Sequence, residues 1–165
     1  MLKIYQHPAI SILSGLRRLR TWGVAVGPSG MHLHFGAPQA IPPQVQGPVQ
    51  APGRYSLWVR CPFHISLRDR PQYRSTFPND SDLSTVRNAV EGQRVLRVAV
   101  DPLDSSLRLL YPRGTLFSAF PGPSKVSLCW IAYDHSTQPS FSVAVHTDGF
   151  SGEWPSYSRS DLPAE

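Results

Sequence analysis

The chain has 165 residues, 41% hydrophobic and 16% charged, with a formal net charge of +5. That length fits one domain with a core large enough to fold without staples. Frequent proline and glycine (17 and 12) exclude a helical bundle or coiled coil, and no apolar run approaches the roughly 18 residues of a membrane span.

The first fifteen residues carry no secretion-signal pattern. Two cysteines, Cys61 and Cys129, exclude a disulfide framework. A reduced, cytoplasmic setting is therefore expected. The positive charge resides in 14 arginines and only two lysines, and favours acidic partners of any class.

In chain order, Leu13, Leu16 and Leu19 recur at helical spacing and predict a short amphipathic helix. A strand around Val24 follows, and Gly27, Pro28, Ser29 and Gly30 make a turn. In residues 30–36, Met31, Leu33 and Phe35 alternate with His32 and His34, as in a half-buried strand. Residues 37–52 hold five prolines and no charge, the composition of an extended connection. In 54–61, Tyr55, Leu57, Val59 and Cys61 alternate with Ser56, Trp58 and Arg60. A polar stretch over 68–79 leads to a second helix on Leu83, Val86 and Val90, capped by Asp80, Ser81 or Asp82. In 93–101, Leu96, Val98 and Val100 alternate with Val95, Arg97 and Ala99, and Asp101 to Asp104 turn the chain. Residues 127–133 and 140–147 are rich in β-branched and aromatic types and predict a closing strand pair. A polar tail occupies 151–165.

Residues 24–35 (VAVGPSGMHLHF) and 98–109 (VAVDPLDSSLRL) match without a gap at an offset of 74. The flanking patterns match in kind. Two copies are too few for a solenoid. The expectation is an α+β fold in which two helix-plus-antiparallel-β repeats, about 9–67 and 80–150, pack as one domain spanning 1–165.

Leu33-His34-Phe35-Gly36, then the segment 53–65 with its Cys61-Pro62-Phe63-His64 bend, then Asp82-Leu83, resemble a family of small uncharacterised bacterial proteins. In that family a Phe-Gly strand precedes a segment like Leu-His-Val-x-Cys-Pro-Trp-Arg-Ile. Residues 113–121 and the Trp130 strand carry the likeness into a second half. It covers about residues 15–150. The second half is also similar to immunity-type partners of bacterial toxins. The resemblance implies a β-rich duplicated domain that binds a protein, and it carries no catalytic residues over. Phe63-His64 stand where Trp-Arg is usual.

Four chemistries compete for these residues. A zinc set would use His32, His34, Cys61 and His64, with Cys129 as a further thiolate. Cys61 and His64 are three apart, so only a turn at Pro62 would bring them together. A hydrolase would draw on Cys61 or Cys129, His64 or His146, and Asp134 or Asp148, without a recognised signature. Nucleic acid would be met by Arg17, Arg18, Arg20, Arg60 and Arg74, interleaved with aromatic residues. A protein partner would be met by Trp58, Trp154 and Tyr157, the aromatic anchors typical of interfaces. The expectation is non-enzymatic protein binding with no cofactor and an unknown protein partner. Nucleic-acid binding is the second reading, and zinc or hydrolysis the third.

Overall fold

The computed structural model describes residues 10–27, 30–37, 54–68, 70–101, 103–121, 128–135, 141–146 and 149–153. A single α-helical turn, α1 (Ile10–Leu13), runs into a 3-10 turn (Ser14–Leu16). Strands β1 (Thr21–Gly27), β2 (Gly30–Phe35), β3 (Tyr55–Val59), β4 (Phe63–Leu67) and β5 (Arg70–Ser75) follow. After the 3-10 turn Asp80–Asp82 comes α2 (Leu83–Val90), then β6 (Arg97–Val100), β7 (Leu107–Leu110), β8 (Leu116–Ala119), β9 (Leu128–Asp134), β10 (Phe141–His146) and β11 (Gly149–Glu153). They form a six-stranded sheet, β1-β2-β3-β9-β10-β11, and a five-stranded sheet, β5-β4-β8-β7-β6. Every pairing is antiparallel.

The expected α+β class is therefore corrected. The protein is mostly β, with two antiparallel sheets and one short helix, α2, of eight residues. The predicted first helix ends at Leu16, where Arg17 (φ −56°, ψ 128°) and Arg18 (φ 72°) leave helical backbone, and Gly15 packs against the Tyr55 ring, where a Cβ would collide with the phenol. Close approach of the ring fixes the chain there, and Leu19 already belongs to an extended segment that pairs with Val95. What recurs along the chain is strand connectivity. The meander β1-β2-β3 sits in one sheet while the hairpin β4–β5 sits in the other. The meander β6-β7-β8 and the hairpin β9–β10 take the converse places, and β11 adds an edge.

The apolar faces of both sheets merge in one core. Met31, Phe35, Leu57 and Trp130 meet Phe63, Ile65, Leu107 and Phe117, all fully or almost fully buried. Two corners join the layers. At the first, β3 passes into β4 through Arg60, Cys61 and Pro62. The Arg60 amide donates to the Cys129 carbonyl at 2.7 Å, and the Phe120 amide donates to the Pro62 carbonyl at 2.9 Å. At the second, the Arg18 amide donates to the Val95 carbonyl at 2.7 Å and the Val95 amide to the Leu19 carbonyl at 2.9 Å. The Thr21 and Tyr111 hydroxyls share a buried hydrogen bond of 2.9 Å there.

The strand expected over 93–101 is thus divided. Residues 93–95 pair across this second corner, and 96–100 join β7. Val95 is buried while Arg97 and Ala99 are exposed, and Leu96 is 44% exposed while Val98 and Val100 are half-buried, so the expected grouping of faces does not hold across Val95–Leu96. The expected Pro-rich connection, 37–52, lies outside the described residues beyond Ala37, and the tail of 151–165 begins inside β11, its remainder lying outside them. Among the described residues no helix is long and apolar enough to cross a membrane.

Asn79, one residue before the predicted caps, starts the helical segment. Its side chain accepts from the Ser81 amide at 3.0 Å, and Asp82 reaches back to the Asn79 amide at 2.9 Å. The buried Asp82 carboxylate also accepts from Ser75 Oγ at 2.9 Å and from the Tyr73 hydroxyl, tying α2 to β5. Asp82→Ala leaves three donors without their acceptor. It should destabilise the fold by about 2 kcal/mol or more, read as a lower urea midpoint, with Asp82→Asn recovering part of the loss.

Candidate functional site

On β2 and β3 the residues that alternate with the core point away from it. Register places His32 opposite Trp58 and His34 opposite Ser56. A break in the β1 register between Thr21 and Gly23 brings Trp22 to the same face. The rings form a continuous stack. Trp22 and His34 lie 5.4 Å apart at 27°, His34 and His32 6.1 Å apart at 12°, and His32 and Trp58 5.6 Å apart at 12°. The Arg60 guanidinium caps the stack, 5.3 Å from the Trp58 ring. At the other end, Tyr133 stacks on His135 at 5.5 Å, and His135 Nε2 hydrogen-bonds to Ser56 Oγ. Ser56 is 5% exposed, so its hydroxyl is engaged within the sheet face.

Four enclosed side-chain polar atoms lack a hydrogen-bond partner among the described residues: Trp22 Nε1, His34 Nδ1, Trp58 Nε1 and Arg60 Nε. All four belong to this stack. Burial pushes the His34 ring down to about 4, helped by the neighbouring His32 and His135. Burial also lowers His32 and His135, and Asp134 partly opposes the effect at His135. The imidazoles of this face are therefore neutral at pH 7.

The structure brings some of the predicted residues together and separates others. Trp58 is half-buried in the stack. Trp154 and Tyr157 lie outside the described residues. Of the zinc set, His32 and His34 are on the outer face of the six-stranded sheet and Cys61 is in the core. His64 is on the five-stranded sheet, against Phe120 at 4.4 Å and Gln72 at 2.6 Å. The turn at Pro62 does not converge Cys61 with His64, and no three His, Cys, Asp or Glu side chains gather as a metal site among the described residues. Cys61 and Cys129 are both buried, Cys129 Sγ donating to the Pro121 carbonyl at 3.4 Å, and the adjacent Cys129 together with burial pushes the Cys61 thiol far up. Neither is a ready nucleophile. His146 ends β10, and Asp148 lies outside the described residues.

The arginine set divides three ways. Arg17, Arg18 and Arg20 are exposed at the second corner, and Arg60 lies on Trp58. Arg74 is on edge strand β5, donating to Gln72 Oε1 at 2.8 and 3.1 Å. Sequence reasoning missed Trp22, which a bulge turns outward, and His135, which only the pairing of β3 with β9 brings to Ser56. Comparison with protein-family models, curated proteins and solved structures gives no match.

His34 binds its proton more weakly folded than unfolded. Its contribution to stability is complete above about pH 6.5, falls as pH drops from there through about 4, and is constant below. His34→Phe keeps a ring in the stack and removes the titration. Urea unfolding across this pH range should show the slope reduced by on the order of 1 kcal/mol, after allowing for solvent screening.

Proposed function

We propose that this protein is a non-enzymatic, cytoplasmic protein-binding module, an immunity-like or accessory partner, that meets its target with the outer face of the six-stranded sheet around Trp58. The observation that carries this reading is the Trp22–His34–His32–Trp58–Arg60 stack on the outer face of the six-stranded sheet. Tryptophan and arginine are the residue types that dominate binding energy at interfaces. A rigid, pre-stacked array loses little side-chain entropy on docking. The half-buried Trp58 ring and the Arg60 guanidinium on it favour a partner loop that brings apolar and carboxylate groups. The inert thiols and the engaged Ser56 hydroxyl agree with a role in binding rather than nucleophilic chemistry.

The test is affinity capture from the source lysate with wild type, Trp58→Ala, Arg60→Ala and Arg17/Arg18/Arg20→Ala, with and without nuclease. The captured protein is then purified and its affinity remeasured. Trp58→Ala should weaken that affinity about 30-fold or more, corresponding to roughly 2 kcal/mol, with its far-UV circular dichroism unchanged. Arg60→Ala, which leaves the ring stack in place, should weaken it in the same direction. Capture abolished by nuclease and lost only in the triple arginine variant would replace this reading with nucleic-acid binding.

A further inference from the structure

Two arginine-rich segments far apart in sequence meet at the second corner. The Arg18 amide donates to the Val95 carbonyl, the Val95 amide to the Leu19 carbonyl, and the Thr21 amide to the Gln93 carbonyl at 2.9 Å. This short ladder sets Arg20 directly opposite Arg94. Arg17, Arg18, Arg20, Arg94 and Arg97 are all exposed. Glu91, the carboxylate nearest in sequence to Arg94, is held by Arg87 at 3.4 Å, the only ion pair among the described residues.

Two features oppose this arrangement unless it serves a purpose. Like charges placed directly across a strand pair destabilise it, and the backbone ladder enforces one here. Arg18 also holds a left-handed backbone, φ 72°, which disfavours side chains other than glycine, asparagine and aspartate. Beside the charges sits Leu96, 44% exposed, one of two large apolar side chains that are exposed among the described residues.

We infer that this corner is a docking ridge for an acidic amphipathic segment of the partner protein, its carboxylates on Arg20, Arg94 and Arg97 and an apolar side chain on Leu96. The inference rests on the protein-binding reading and names the chemistry of the partner. The five arginines fix the sign of its charge, and exposed Leu96 favours a peptide over a phosphate backbone. Trp22, at the end of the ring stack, lies two residues beyond Arg20 in the chain.

The test uses the full chain and defined probes. A labelled peptide repeating Glu-Glu-Leu-Gly is titrated by fluorescence anisotropy at low and physiological salt. Its Gln-Gln-Leu-Gly counterpart and an oligothymidylate of matching charge are titrated alongside. The acidic peptide should bind and the neutral one should not. Arg20→Gln/Arg94→Gln should weaken binding roughly tenfold, and Leu96→Ser should weaken it severalfold. Trp58→Ala should leave peptide binding intact, so failure of the ridge and failure of the ring face can be told apart. Arg94→Gln alone should raise the melting temperature by about 1–2 °C, because it relieves the opposed charges. Three results would overturn the inference: no binding of the acidic peptide, affinity unchanged in the double variant, or tighter oligothymidylate binding that ignores Leu96→Ser. The last would assign the ridge to nucleic acid.

Discussion

The structure depends on the crossing at Cys61–Pro62. Proline has no amide hydrogen, so the β3 ladder cannot run on through it, and the chain leaves one sheet and enters the other. The crossing is held by two reciprocal hydrogen bonds, Arg60 to Cys129 and Phe120 to Pro62, at 2.7 and 2.9 Å. Beneath them the buried side chains of Cys61 and Cys129 fill the core. Because β3 and β4 are one continuous run, side-chain alternation survives the bend. Tyr55, Leu57, Val59, Cys61, Phe63 and Ile65 all face inward. The residues between them face outward on whichever sheet they occupy, Trp58 on the six-stranded sheet and His64 on the five-stranded one. A site joining Cys61 and His64 is excluded by this parity, and the ring stack around Trp58 is a consequence of it.

The sequence was legible wherever a strand kept one partner on each side. The alternation in β2 and β3 placed His32, His34, Ser56 and Trp58 on one face, and register adds only how closely their rings approach. It was not legible where a segment divides between partners. From Gln93 to Val100 the chain first pairs with 18–21 and then with β7, and the inward face slips between Val95 and Val98. Leu96 falls in the slip and is left outside. Nor does periodicity reveal a distant pairing. Leu13, Leu16 and Leu19 have helical spacing, but Arg18 (φ 72°) and Leu19 are drawn into pairing with Val95, a residue more than 70 positions away. His135 reaches Ser56 through a pairing of strands separated by more than 70 residues, a relation no local pattern encodes.

The arginines show how one residue type is divided between structure and recognition. Arg54 lies over the Tyr55 ring at 5.2 Å and Arg60 over Trp58, each covering an aromatic face. Arg87 donates to the Val24 carbonyl at 3.2 and 3.3 Å while pairing with Glu91, so α2 closes the outer edge of β1. That edge is a natural template for unwanted strand addition, and α2 covers it. Arg20 is the intermediate case. It donates to the Gly92 carbonyl at 3.2 Å, which locks the second corner, yet its charge remains opposite Arg94.

Both corners exchange chain between sheets and both are held by backbone hydrogen bonds, which at the first lie over buried thiols and a proline. The second is closed by backbone hydrogen bonds and by the buried Thr21–Tyr111 pair, which together hold the chain in place whatever the surface side chains do. A ladder so anchored can tolerate repulsion between its outward charges, since the repulsion is screened by solvent and the interior bonds are not. The bonds that hold the chain and the exposed charges thereby lie on opposite sides of the same short ladder. A polycationic edge can persist there next to the ring stack without unravelling the sheet that carries it.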